Sequence, residues 1–176
     1  MSDLHPPSLK ALHQALTQVS PHVRWSEPEQ PVGVAAHLTL RQTPPVTVAF
    51  DYSVVPKLVG SADGYEHIQM FVELATDADI RRVPQLLWLL NKINTVLPVG
   101  CFGVFDTLHV LYWKQMVCLD TTIDPAQSAR TLMTQTRLAR QVIGDFRGTL
   151  HEVLGGRPAV EALLDNTWAP VLLPNA

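Results

Sequence analysis

The chain has 176 residues, 47% of them apolar and 16% charged, with a formal net charge of −3. Such a length suits one domain spanning residues 1–176, and the apolar share suits a folded globule over a disordered chain. A weakly negative chain lacks the basic field that binds phosphate backbones, and no apolar run nears the ~20 residues of a bilayer span, so the sequence reads as binding neither nucleic acid nor membrane.

After an opening PPS, Leu9, Leu12, Leu16 and Val19 recur at helical spacing, with Ser8 as N-cap and Pro21 as the stop. PVGVAAHLTL alternates Val34, Ala36, Leu38 and Leu40 against Ala35, His37 and Thr39, a half-buried strand. A TPP turn leads to VTVAFDYSVV, which alternates again, so the two segments predict a hairpin. PKLVGSADG is a connection broken by Pro56, Gly60, Asp63 and Gly64, and YEHIQMFVEL resumes alternation through Ile68, Met70, Val72 and Leu74.

The period then changes. Val83, Leu86, Leu87, Leu90, Ile93 and Leu97 form a helical stripe that ends at Pro98 and Gly100. CFGVF and LHVLYWKQMVCL read as a second hairpin turning at Asp106-Thr107, which sets Phe102 opposite Leu111 and Cys101 opposite Tyr112. On that register Cys118 lies too far along the strand to bond Cys101, so both are expected as free thiols. From Asp124-Pro125 a long helix carries Leu132, Ala139, Val142, Ile143, Phe146, Leu150, Val153 and Leu154 on one arc, stopping at Gly155-Gly156. The domain core thus spans about 8–155, followed by a short helix from Pro158 through Leu164 and the apolar tail WAPVLLPNA, over 156–176. The expected fold is α+β: an antiparallel sheet of three strands plus a hairpin, packed by helices in the order α-β-β-β-α-β-β-α.

The opening residues have neither a basic start nor a continuous apolar segment, and two cysteines fit a reducing compartment, so a cytoplasmic location is expected. The low charge content predicts apolar surface buried against a second copy, hence a homodimer. LLWLL at 86–90 is apolar around the whole helix, more than one sheet face requires. Leu86, Trp88 and Leu89 are therefore the expected dimer or partner interface, with burial under the first helix or the tail as the alternative.

Asn91 and Asn94 share a helix face near its C-terminus, where an amide satisfies free carbonyls or loop amides, a corner-turning role. Among the seven histidines none shows paired metal-ligand spacing. His37 and His67, beside Asp51 and Glu66 on predicted strands, leave open the alternative of a small-molecule or metal binder, or an unrecognised enzyme, with a cleft on the sheet near His37, Asp51 and His67. Arg130, Arg137, Arg140 and Arg147 read as a solvated helix face, with a docking face for an acidic partner as the alternative. No nucleophile elbow, phosphate loop, dinucleotide fingerprint or paired-cysteine motif is present, so the expectation is a non-enzyme without cofactor or metal.

LLWLLNKINTVLPVGCF followed by LHVLYW, in this element order, resembles the YbjN family and the wider type III secretion chaperone-like fold. The matching positions are Leu90, Asn91, Asn94, Leu97, Pro98, Gly100 and Phe102, with Leu111 and Tyr112 on the return strand. The resemblance implies a dimeric α+β domain that binds a protein partner and has no known catalytic site. Secretion chaperones are usually more acidic and shorter at the C-terminus, which favours a YbjN-like regulator or general chaperone over a secretion role.

Overall fold

The alternating segments pair into one sheet, and the helical stripes close over a single side of it. The structure, a computed structural model, describes residues 5–26, 31–40, 42, 44–55, 64–76, 79, 82–105 and 107–174. In chain order the elements are α1 (Pro7–Thr17), β1 (Val23–Trp25), β2 (Gly33–Thr39), β3 (Thr47–Val55), β4 (Tyr65–Ala75), α2 (Val83–Asn94), β5 (Cys101–Phe105), β6 (Val110–Asp120), α3 (Pro125–Leu154), α4 (Ala159–Leu164) and α5 (Ala169–Leu172). The six-stranded sheet is antiparallel throughout, in the order β1-β2-β3-β4-β6-β5. α2 carries the chain from β4 to the outer edge, and β6 then returns between them.

The fold is the expected α+β sheet with helices, with one more strand and, in the tail, one more short helix, α5. β1 is three residues long, too short for alternation to reveal, and is held to β2 through Val23↔Ala36, Arg24↔Ala35 and Trp25↔Val34. The predicted breakers Pro56, Gly60 and Asp63, and the turn residues Thr43 and Asp106, lie outside the described residues.

Side chains on one sheet face, among them Phe50, Tyr52, Ile68, Met70, Leu111 and Trp113, join Leu9, Leu12 and Leu16 of α1, Ile93 of α2 and Ile143 and Phe146 of α3 in one core. Each fully buried side chain of this size contributes roughly 1.5–3 kcal/mol of transfer free energy. The Tyr52 hydroxyl reaches Thr136 Oγ1 at 2.8 Å. Thr136 gives its own proton to Leu132 O at 2.8 Å, so Tyr52 is the donor. Burial pushes the Tyr52 pKa well above the phenol range and keeps that donor protonated.

α3 runs 30 residues, roughly 45 Å at 1.5 Å per residue, with the Asp124 carboxylate accepting from Ala126 N at 2.8 Å as its cap. Leu172 is buried, and Asn166 ties the last turns to α3 by donating to Asp145 O at 2.8 Å and Thr149 Oγ1 at 2.9 Å.

Four local expectations are corrected. Ser8 lies inside α1, whose N-cap is Pro6, and its hydroxyl donates to the Glu66 carboxylate of β4 instead. Val19 follows the end of α1 and is 58% exposed. In α2 the buried stripe is Leu86, Leu89, Leu90 and Ile93, leaving Leu87 outside. The second hairpin has a longer loop: Phe105 pairs with Val110, and His109 takes a left-handed φ of 54°. Every partner therefore shifts by two, placing Phe102 opposite Trp113 and Cys101 opposite Lys114. A shift of two preserves each residue's face.

Candidate functional site

β-strands send alternate side chains to opposite faces, so covering one face with helices leaves the second to be read directly from the register. Arg24, Ala35, Asp51, Phe71, Lys114 and Cys101 form one row across all strands on the uncovered face. Beside it run Ser53, Gln69 and Met116 on one flank and Glu73, Tyr112 and Gly103 on the other. Among the described residues with side chains on this face, Tyr112 alone is buried; the others are exposed or half-buried.

The β4-β6-β5 half carries stacked aromatic rings. Tyr112 lies 4.3 Å from Phe105 and 5.5 Å from Phe71, centroid to centroid, and the Lys114 ammonium sits 5.4 Å from the Tyr112 ring. Its cross-strand partner Gly103 makes room: a Cβ there would lie 2.4 Å from the Tyr112 hydroxyl oxygen. Phe105 remains 38% and Met116 43% exposed, and a depression of about 530 Å³ runs from Met116 and Lys114 to the Pro98–Cys101 turn.

The β1-β2-β3 half holds a cleft of about 240 Å³ floored by Ala35 and walled by Arg24, Asp51, Gln69 and Phe71, with Ser53 at its margin. Asp51 is exposed at the surface, yet the walls thin its water shell and raise its carboxyl pKa; Arg24 and His37 oppose that rise and Glu73 adds to it. His37 and Asp51 do share this face, as expected. His67 pairs with Val55 and Cys118, four residues along β4 from Phe71 and thus roughly 13 Å away, and Glu66 points to the helical side. No three of the His, Cys, Asp and Glu residues gather to hold a metal among the described residues.

The predicted helix interface divides. Leu86 and Leu89 are fully buried in the core, whereas Leu87 is 46% and Trp88 36% exposed, with the Lys92 ammonium 5.8 Å from the Trp88 ring. Of the two asparagines, Asn94 turns the corner. Its Nδ2 donates to Phe102 O and its Oδ1 accepts from Phe102 N, both at 2.9 Å, while Asn91 is exposed. Gly100 adopts φ 66°, and a Cβ there would lie 2.3 Å from the buried Trp113 ring. Leu90, Phe102 and Leu111 are core, Leu97 packs on it, and Pro98 is exposed. These motif residues build the α2–β5 junction.

Both cysteines are free, Cys101 half-buried and Cys118 exposed. Arg140 does more than solvate α3, because its guanidinium donates to Thr39 O at the end of β2, with Nε at 2.7 Å. Sequence reasoning missed Arg24, hidden in the unrecognised β1, and passed over a visible signal in β4 and β6. Phe71, Tyr112 and Met116 are large apolar residues in the polar phase of their strands, where alternation calls for solvent-facing groups.

No helix among the described residues is long and apolar enough to cross a membrane. No family model matches the chain, and neither the curated proteins nor the solved structures give a match.

Proposed function

We propose that the chain is a non-enzymatic protein-binding module, chaperone-like or regulatory, that works as a homodimer through the uncovered face of its sheet. The observation that carries this reading is the Phe71, Tyr112 and Phe105 stack on a face that no helix covers among the described residues. Aromatic rings and methionine are enriched at association surfaces, and a contiguous exposed apolar area on a soluble domain marks such a surface. A second copy is the favoured occupant because the row is self-complementary in charge: Asp51 and Lys114 stand on opposite sides of Phe71. The family resemblance supports the same reading, and the free thiols of Cys101 and Cys118 fit a cytoplasmic setting.

Solution mass by light scattering across a dilution series tests it, comparing wild type with Phe105→Glu, Met116→Glu and Trp88→Glu. All three positions are partly exposed, so the substitutions leave the core intact. The expected result is a dimer that Phe105→Glu and Met116→Glu dissociate and Trp88→Glu does not. A wild-type monomer at every concentration, or a dimer broken only by Trp88→Glu, overturns the sheet-face assignment.

A further inference from the structure

The cleft over Ala35 shares Asp51 and Phe71 with the face proposed for the dimer, but its Arg24, Ser53 and Gln69 side chains are ones the dimer reading does not use. Arg24 and Asp51 stand on strands two apart, their backbones about 10 Å from each other, with only the Ala35 methyl between them. They are close enough for Arg24 to act electrostatically on Asp51. Among the described residues, however, neither closes an ion pair, and the side chains of Gln69 and Ser53 make no hydrogen bond within the protein. Four polar side chains thus converge on one small space without satisfying each other.

A simple anion drawn to Arg24 meets the Asp51 charge, and a simple cation drawn to Asp51 meets the guanidinium. A head group carrying both charges a few ångströms apart answers both at once. The next residue in the row is Phe71, which supplies an apolar wall on the far side of Asp51. A volume of about 240 Å³ is below the usual range of drug-sized pockets, roughly 300–1,000 Å³, and suits a molecule of single-residue size.

We propose that the Arg24–Ala35–Asp51–Phe71 row binds a free apolar α-amino acid, its carboxylate on the Arg24 guanidinium, its ammonium on the Asp51 carboxylate and its side chain against the Phe71 ring. Gln69 and Ser53 hold the head group from the neighbouring row. A peptide terminus presents one of the two charges and an internal residue neither, so the free amino acid is the preferred ligand. Because Asp51 and Phe71 also lie in the row proposed for the dimer, calorimetry reads the ligand and light scattering reads the dimer, so the failure of one is distinguishable from the failure of the other.

Calorimetric titration of the full chain with apolar L-amino acids, including L-leucine and L-phenylalanine, tests it. N-acetyl-L-phenylalanine, which lacks the ammonium, and L-phenylalaninamide, which lacks the carboxylate, serve as blocked probes. The expected result is binding of the free amino acid that weakens about tenfold or more with either blocked probe, and by a similar factor in Arg24→Gln and in Asp51→Asn. Melting curves establish that the variants fold, and Leu138→Gln, at an exposed position of α3 on the helical side of the sheet, retains wild-type affinity. Folded wild-type protein that binds none of the apolar amino acids, equal binding of the blocked probes, or affinity unchanged in both cleft variants overturns the proposal.

Discussion

Replacing Asn94 by Ala isolates the device that joins α2 to β5. The Asn94 amide makes two hydrogen bonds of 2.9 Å to the backbone of Phe102, one as donor and one as acceptor. Among the described residues β5 is an edge strand, at the end of the sheet order, so this amide stands in for a paired strand at that point. Each bond contributes about 1 kcal/mol net, and Phe102 is only 3% exposed, so water replaces the lost partners poorly. Against the resulting ~2 kcal/mol, Ala gains about 0.5 kcal/mol in helix propensity over Asn. The expected net loss is about 1.5 kcal/mol, or a melting temperature lower by roughly 3–6 °C for a domain of this size. Urea unfolding followed by tryptophan fluorescence measures it. Asn94→Asp sharpens the test, because a carboxylate keeps the acceptor for Phe102 N–H but sets a second oxygen against Phe102 C=O. That variant should be no more stable than the Ala variant at neutral pH. It should recover stability on acidification, since a carboxyl whose folded pKa is raised is penalised when ionised and relieved once protonated. An Ala variant within about 0.3 kcal/mol of wild type, or an Asp variant equal to wild type near neutrality, refutes the account.

Gly100→Ala should be more damaging, by about 3 kcal/mol, because it combines a left-handed φ of 66° with a Cβ 2.3 Å from the Trp113 ring, and the same urea titration reads it. Asn166→Ala removes the donors to Asp145 O and Thr149 and the acceptor for Trp168 N. It should speed limited proteolysis near the C-terminus while α3 stays protected in hydrogen exchange. His151 has its pKa lowered, first by burial and then by the Arg147 guanidinium, with a hydrogen bond to the Leu74 backbone opposing. The unfolded chain then binds this proton more readily, so stability is full above the unfolded value of about 6.5 and falls as pH drops towards the lower folded value. His151→Gln should flatten that part of the urea-midpoint profile against pH, and an unchanged slope contradicts the assignment.

Much of the architecture was legible because it rests on local periodicity. Alternation in β2, β3 and β4, the arc of α3 and the Asp124-Pro125 start depend on neighbouring residues, and period-two and period-3.6 patterns report burial wherever one face is covered. The α2–β5 corner was legible for a similar reason. Asn94 and Gly100 act on backbone only a few residues away, so their types reveal the need for an amide partner and a left-handed turn. Elsewhere periodicity was silent or ambiguous. Three residues of β1 carry no period, and LLWLL is apolar in every direction, so only packing decided that Leu86 and Leu89 go inside while Leu87 and Trp88 stay out.

The uncovered face shows the division most plainly. Sequence assigned Asp51 to the outer phase of its strand and His37 to the outer phase of the next, but a phase does not say which strand lies alongside. The placement of β6 between β4 and β5 brought Tyr112 beside Phe71, and the addition of β1 set Arg24 across Ala35 from Asp51. Residues dozens of positions apart become a site only when hydrogen-bonded register aligns them. Local pattern determined which way each side chain points; the tertiary pairing of the strands decided which ones meet.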